Sequence, residues 1–181
     1  MKILNSKEKY GLISIIFHWL MALIIIVTFI LGLNLKYNYQ YYYEVLILHN
    51  SLGITILLLA IFRIAWKFIN IKPSPLPNKK LLMKLATLTH ILFYIFFFAL
   101  PLSGYLLTNL QGDIVSFYGI DLPEILQSNN DFKYYTHIVH DLLGNILLVI
   151  FSLHVLGALY HHFVIRDNTL RRITFLKMKK N

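Results

Sequence analysis

The chain predicts an all-α integral membrane four-helix bundle, and three observations carry that expectation. Four long apolar runs dominate the sequence, its basic residues are lopsided, and its histidines fall at matched depths on those runs. Of 181 residues, 57% are hydrophobic and only 14% charged, against roughly 25% charged in an ordinary soluble domain. The mean hydropathy is +0.63. The runs are Gly11–Leu33, Val45–Trp66, Leu85–Leu110 and Thr136–Ile165, and each reaches the ~20 residues a helix needs to cross a hydrocarbon core. Within lipid every backbone amide must be satisfied inside its own segment, so the runs are expected to be helices. Little sequence is left outside them, which predicts one membrane domain over residues 1–181.

Taken in order, the first run follows Lys2, Lys7 and Lys9. It is too long for the apolar region of a signal peptide and lacks a small-residue cleavage pattern, so it is expected to be a retained span. A tyrosine-rich connection follows (Tyr37, Tyr39, Tyr41, Tyr42, Tyr43) and, with Tyr134 and Tyr135, suits an interfacial aromatic belt. The second connection, Lys72-Pro-Ser-Pro-Leu-Pro77, is expected to be stiff and extended, because each proline restricts itself and its predecessor. The third run contains Pro101 and Gly104, a combination that favours a kink. The connection from Gln111 to Lys133 is the only long one. Its segments Gly112–Gly119 and Leu122–Leu126 read as an amphipathic fragment lying over the helix ends.

The formal net charge of +9 first suggests nucleic-acid partners, but its placement argues for topology instead. Lys2, Lys7 and Lys9 precede the first span; Arg63, Lys67, Lys72, Lys79, Lys80 and Lys84 surround the second connection; Arg166, Arg171, Arg172, Lys177, Lys179 and Lys180 follow the fourth span. Only Lys36 and Lys133 fall on the other side, together with Glu44, Asp113, Asp121, Glu124, Asp131 and Asp141. Loops rich in Lys and Arg stay in the cytoplasm, so both termini are expected there and the helices run up-down-up-down. No nucleic-acid partner is needed to explain the charge.

The absence of cysteine excludes disulfides, iron–sulfur clusters and covalent c-type haem attachment. Histidines remain, and an ionisable residue in lipid is costly enough to be a functional candidate by default. His140 and His154 lie fourteen residues apart on the fourth span, a rise of ~21 Å that returns to within ~40° of the same face. His18 lies near the depth of His154, both ~10–15 Å below the inner surface. His49 and His140 each come about one turn after an outer helix start. Two levels of paired imidazoles, His18–His154 and His49–His140, therefore fit the axial positions of two haems b stacked across the bilayer.

Neighbouring residues extend the pattern. His49-Asn-Ser-Leu-Gly53 and His140-Asp-Leu-Leu-Gly144 both place glycine one turn after histidine, which leaves room for a flat macrocycle; close helix packing is the simpler use of such small residues. Arg63 repeats the fourteen-residue spacing from His49. It either pairs with haem propionates through charge-assisted forks or snorkels to the interface as a topology residue. His137 faces ~100° away from His154, and His90 has no unclaimed partner at its depth, which suits a hydrogen-bonding or propionate role. His161 is placed to meet a propionate and His162 to lie at the interface.

The segments Ser14-Ile-Ile-Phe-His-Trp-Leu20, His49-Asn-Ser-Leu-Gly53, Phe62-Arg63, Ala99-Leu-Pro-Leu-Ser-Gly104, His140-Asp-Leu-Leu-Gly144, Leu153-His154, His161-His162 and Arg166-Asp-Asn-Thr-Leu-Arg-Arg172 together resemble the bacterial cytochrome b561 family of small dihaem inner-membrane cytochromes. The resemblance covers nearly the whole chain and implies the axial pairs already reached from depth. Its layout is most similar to the family's superoxide oxidases, which implies oxidation of superoxide at the periplasmic side and reduction of ubiquinone. An alternative is a cytochrome b subunit that carries electrons between quinone and a dehydrogenase or hydrogenase partner. A transporter or metal channel built on the histidines requires neither paired depths nor the His-x-x-x-Gly repeats. Superoxide is an anion that a cationic funnel would draw in, yet only Lys36, Lys133 and His137 offer positive charge outside. The expected partners are thus membrane lipid, quinone and superoxide, with a redox partner protein in the alternative.

Overall fold

The computed structural model describes residues 2–38, 40–76 and 80–178. Its long helices are α1 (Leu12–Tyr37), α2 (Tyr42–Ile69), α3 (Lys80–Gln111) and α4 (Asn130–Tyr160). A π-helical turn, His161–Ile165, continues α4, and a short helix α5 (Thr169–Arg172) follows. All four long helices are long and apolar enough to cross a bilayer. Each extends past its apolar run at one end or both, because a helix carries on into the interfacial layer, where polar and aromatic side chains are well solvated. Within the spans, Thr28, Thr55 and Thr108 satisfy their hydroxyls on the carbonyl four residues back, as a lipid-embedded helix requires. α3 runs unbroken through Pro101.

Both ends of the chain meet at one face. Tyr10 N–H donates to the Arg172 carbonyl at 3.3 Å and Ser74 N–H to the Lys7 carbonyl at 2.8 Å. The Arg172 guanidinium closes the group on the Ser74 carbonyl at 2.6 Å. The N-terminal segment, the α2–α3 connection and the tail after α4 thus form a single cap, the geometry of an up-down-up-down bundle. Gly11 lies where the N-terminal segment crosses the start of α1, and a Cβ there would sit 2.3 Å from the Ile3 carbonyl oxygen. Tyr37, Tyr41, Tyr43, Tyr134 and Tyr135 are exposed, as a belt at the opposite end requires. Tyr39, Pro77, Lys79, Lys179 and Lys180 lie outside the described residues.

At that opposite end the helices are uneven. Asn50 Nδ2 donates to Thr108 Oγ1 at 3.3 Å, which sets the two residues level. Beyond that level α2 continues outward for ~12 Å but α3 for only ~4.5 Å. The long connection fills the notch with a hairpin, β1 (Ser116–Phe117) paired antiparallel with β2 (Ile120–Asp121). Tyr118 and Gly119, at φ 49° and 90°, make the tight turn that suits such a hairpin. The buried Ser51 hydroxyl accepts Tyr118 N–H at 2.9 Å and faces the carbonyls of Ile47 and Ser116. The fragment expected over the helix ends is therefore a hairpin seated over the end of α3 and leaning on α2, a small β addition to a helical fold.

Packing concentrates at mid-depth, where Met21, Ile56, Ala60, Phe93 and Phe97 form the core against Leu147, Ile150 and Phe151. α1 packs on α2, α2 on α3 and α3 on α4, whereas α4 makes no comparable backbone approach to α1 or α2. No residue of α4 is fully buried.

Candidate functional site

Side chains cross the space that the backbones leave. His18 of α1 and His154 of α4 have ring centroids 6.1 Å apart; His49 of α2 and His140 of α4 are 6.2 Å apart. A metal ion bonded at roughly 2 Å to one nitrogen of each of two opposed imidazoles sets their centroids roughly 6 Å apart. Among the described residues no three or more His, Cys, Asp or Glu side chains come together as a metal cluster. Imidazole pairs outside any such cluster suit a cofactor that brings its own equatorial ligands. Leu147 stands midway between His140 and His154, and the apolar core separates the two levels.

The outer level has a cavity of about 340 Å³ lined by His49, His140 and four glycines, Gly32, Gly53, Gly104 and Gly144. His49 Nδ1 lies 3.0 Å from the Thr28 carbonyl oxygen, which can only accept, so Nδ1 carries the proton and Nε2 keeps its lone pair. His140 Nδ1 lies 2.9 Å from Ser103 Oγ, whose hydroxyl donates to the Leu100 carbonyl at 2.9 Å. Ser103 therefore accepts the Nδ1 proton and His140 takes the same tautomer. Oriented this way, both rings offer Nε2 to a metal, an outer-shell arrangement typical of ligating histidine. A Cβ on Gly53 or Gly144 would meet nothing within 4 Å, in keeping with the open space expected beside the rings. The glycines that touch the rings are Gly32 and Gly104, where a Cβ would come within 3.1 Å of Cε1 of His49 and His140.

Lys36 and Asp141 meet at the mouth of this cavity at 2.6 Å. The charge of Lys36 is therefore matched by the residue next to His140. His137 lines the same cavity without joining the ring pair.

Arg63 arrives at the inner level, as its spacing from His49 requires. Its Nη2 lies 3.5 Å from His18 Nδ1 and its Nη1 donates to Met21 Sδ at 3.7 Å. His90 is also there, its ring 5.8 Å from that of His154, and Phe93 meets His154 edge-on at 5.2 Å. At the cytoplasmic mouth His161 Nδ1 bonds Asp167 Oδ2 at 2.7 Å, and Asp167 in turn accepts Thr169 N–H at the start of α5. His162, beside His161, has a buried Nδ1.

The residues missed by sequence reasoning are the ones that hold the rings: Thr28, Ser103, Gly32 and Gly104. The only available signal was Thr28-x-x-x-Gly32 and Leu100-x-x-x-Gly104, the same spacing on the helix preceding each outer histidine.

The family model for prokaryotic cytochrome b561 matches residues 9–175. Cytochrome b561 homolog 2 of Escherichia coli K12 is 34% identical over 178 residues, covering 96% of this chain and 95% of that protein. A Yersinia pestis protein named Probable superoxide oxidase CybB is 32% identical over 171 residues, covering 92% and 96%. Cytochrome b561 homolog 1 of Escherichia coli K12 is 29% identical over the same length, covering 92% and 97%. Four membrane-crossing helices, imidazoles paired between them and matches that run nearly end to end lead to one conclusion: the chain belongs to the prokaryotic cytochrome b561 family, whose members bind haem b and carry electrons in the bacterial inner membrane.

Proposed function

We propose that the protein is a superoxide:ubiquinone oxidoreductase that holds two haems b, one between His18 and His154 and one between His49 and His140. The observation that carries this reading is the pair of ring separations, 6.1 and 6.2 Å, on two levels served by one helix. Bound there, haem supplies a one-electron carrier that changes oxidation state without large rearrangement. The chain's own residues do the rest. Thr28 and Ser103 fix the outer tautomers, Gly53 and Gly144 keep space beside the rings, and Arg63 supplies a cation at the inner level for the cofactor's carboxylates. Two superoxide anions lose one electron each and leave as dioxygen; a ubiquinone that gains both electrons and two protons becomes the quinol. The name of the Yersinia pestis relative supports this choice of donor.

The second reading, an electron-transfer subunit serving a partner dehydrogenase or hydrogenase, draws on the Lys36–Asp141 pair, which leaves no unpaired lysine among the described residues lining the outer mouth. Stopped-flow mixing of oxidised protein with superoxide, with and without ubiquinone, separates the two. Fast reduction followed by quinone turnover supports the oxidase; slow reduction without turnover supports the conduit. A reduced-minus-oxidised spectrum lacking a b-type signal of about two haems per chain removes the basis of both.

A further inference from the structure

The two levels differ in charge. At the outer one, each ring donates its Nδ1 proton to a neutral oxygen, of Thr28 or Ser103, and Lys36 and Asp141 cancel at the mouth. At the inner one, Arg63 reaches His18 and Met21, neither of which carries negative charge. Among the described residues no carboxylate lies within ion-pair distance of Arg63; Asp167, on the same side of the protein, is bonded to His161. A guanidinium does not lose its proton in a protein, so this positive charge is permanent.

From this asymmetry we infer that Arg63 sets a step in reduction potential across the protein, with the inner site above the outer one. The inference rests on the two-haem reading. Reduction adds a negative charge, and a fixed cation beside an axial ring stabilises the reduced state, all the more in a low-dielectric interior. Donation of Nδ1–H to an oxygen makes the outer imidazoles more basic, which stabilises the oxidised state there. Both effects act in the same direction. Electron transfer from the outer level to the inner one would then be favoured over the reverse, so Arg63 is a positioning residue for the direction of transfer rather than a group that touches substrate. Carboxylates brought by the cofactor would share this charge, and its removal would still leave the inner site less positive.

Spectroelectrochemical titration of the purified holoprotein tests this. His49→Ala leaves the inner site alone and His154→Ala the outer one, so each wave is assigned without altering Arg63. The inner wave is expected to be the higher of the two. Arg63→Gln is expected to shift that wave down and leave the other unmoved, and Arg63→Lys to restore most of it. An outer wave at the higher potential overturns the inference, as does an Arg63→Gln variant whose two waves move together or not at all. If Arg63→Gln loses the inner haem, the order of the waves in the single-ligand variants decides. A haem-to-chain ratio below two in the unaltered protein counts instead against the two-haem reading.

Discussion

Through their hydrogen bonds Ser103 and Thr28 decide which nitrogen the outer histidines present. In Ser103→Ala the Nδ1–H of His140 loses its acceptor, and a buried orphan donor costs about 1–3 kcal/mol. Loss of such an outer-shell partner lowers ligand affinity roughly 10–100-fold. The expected outcome is a protein that sheds its outer haem on dilution in detergent while the inner haem stays; retention of both would show that the serine is dispensable. Gly32→Val tests the close approach to His49, where even a Cβ lies 3.1 Å from the ring. It should lower the outer haem content and leave the inner spectrum unchanged. At this scale the sequence is uneven. The four paired histidines are legible because an ionisable residue in an apolar run stands out, and Arg63 because it repeats their spacing. Thr28 acts through a carbonyl, which every residue has, so nothing in its side chain announces the role. Gly32 and Gly104 act across a helix interface that periodicity within one helix does not describe.

Among the elements, the hairpin after α3 and the cap at the other end were the least legible. The hairpin strands are two residues each, too short to show alternation, and they are specified by one buried hydroxyl on α2. Ser51→Ala removes that tie, and amide exchange across residues 112–121 should rise while the flanking helices stay protected. Unchanged protection would mean that Val115 and the turn hold the hairpin without it. In the cap, burial raises the Tyr10 hydroxyl pKa above its ordinary value of 10.0, against the pull of Arg63 and Arg172. A raised folded-state pKa adds stability that is fully present below the unfolded value and is lost as pH climbs through the folded one. The cap is thus expected to loosen in strong alkali, seen as a change in tryptophan emission from Trp19, which donates to the Ile173 carbonyl there at 2.7 Å. Tyr10→Phe should abolish that alkaline transition, and a Tyr10→Phe variant that keeps it would assign the transition to another group.

For the molecule as a whole, charge asymmetry and four apolar runs were enough to read the number, direction and class of the helices, because lipid permits few alternatives. The chain has no cysteine, so single cysteines report sidedness cleanly. Cysteine at Ser6 or Thr174 should react with a membrane-impermeant maleimide only in inverted vesicles, and cysteine at Ser128 only in intact spheroplasts; the reverse pattern would overturn the orientation. The uneven packing of α4 was not legible, since its composition matches that of its neighbours. Its consequence is one of assembly. The molecule is two helical hairpins whose backbones pack along α2 and α3, with α4 reaching α1 and α2 through side chains: the two ring pairs, the Lys36–Asp141 pair and the mid-depth core. On the proposed two-haem reading, haem would fasten these two halves together. Residues 1–76 and 80–181 made as two polypeptides in one cell should purify together when haem is plentiful and come apart when its synthesis is blocked.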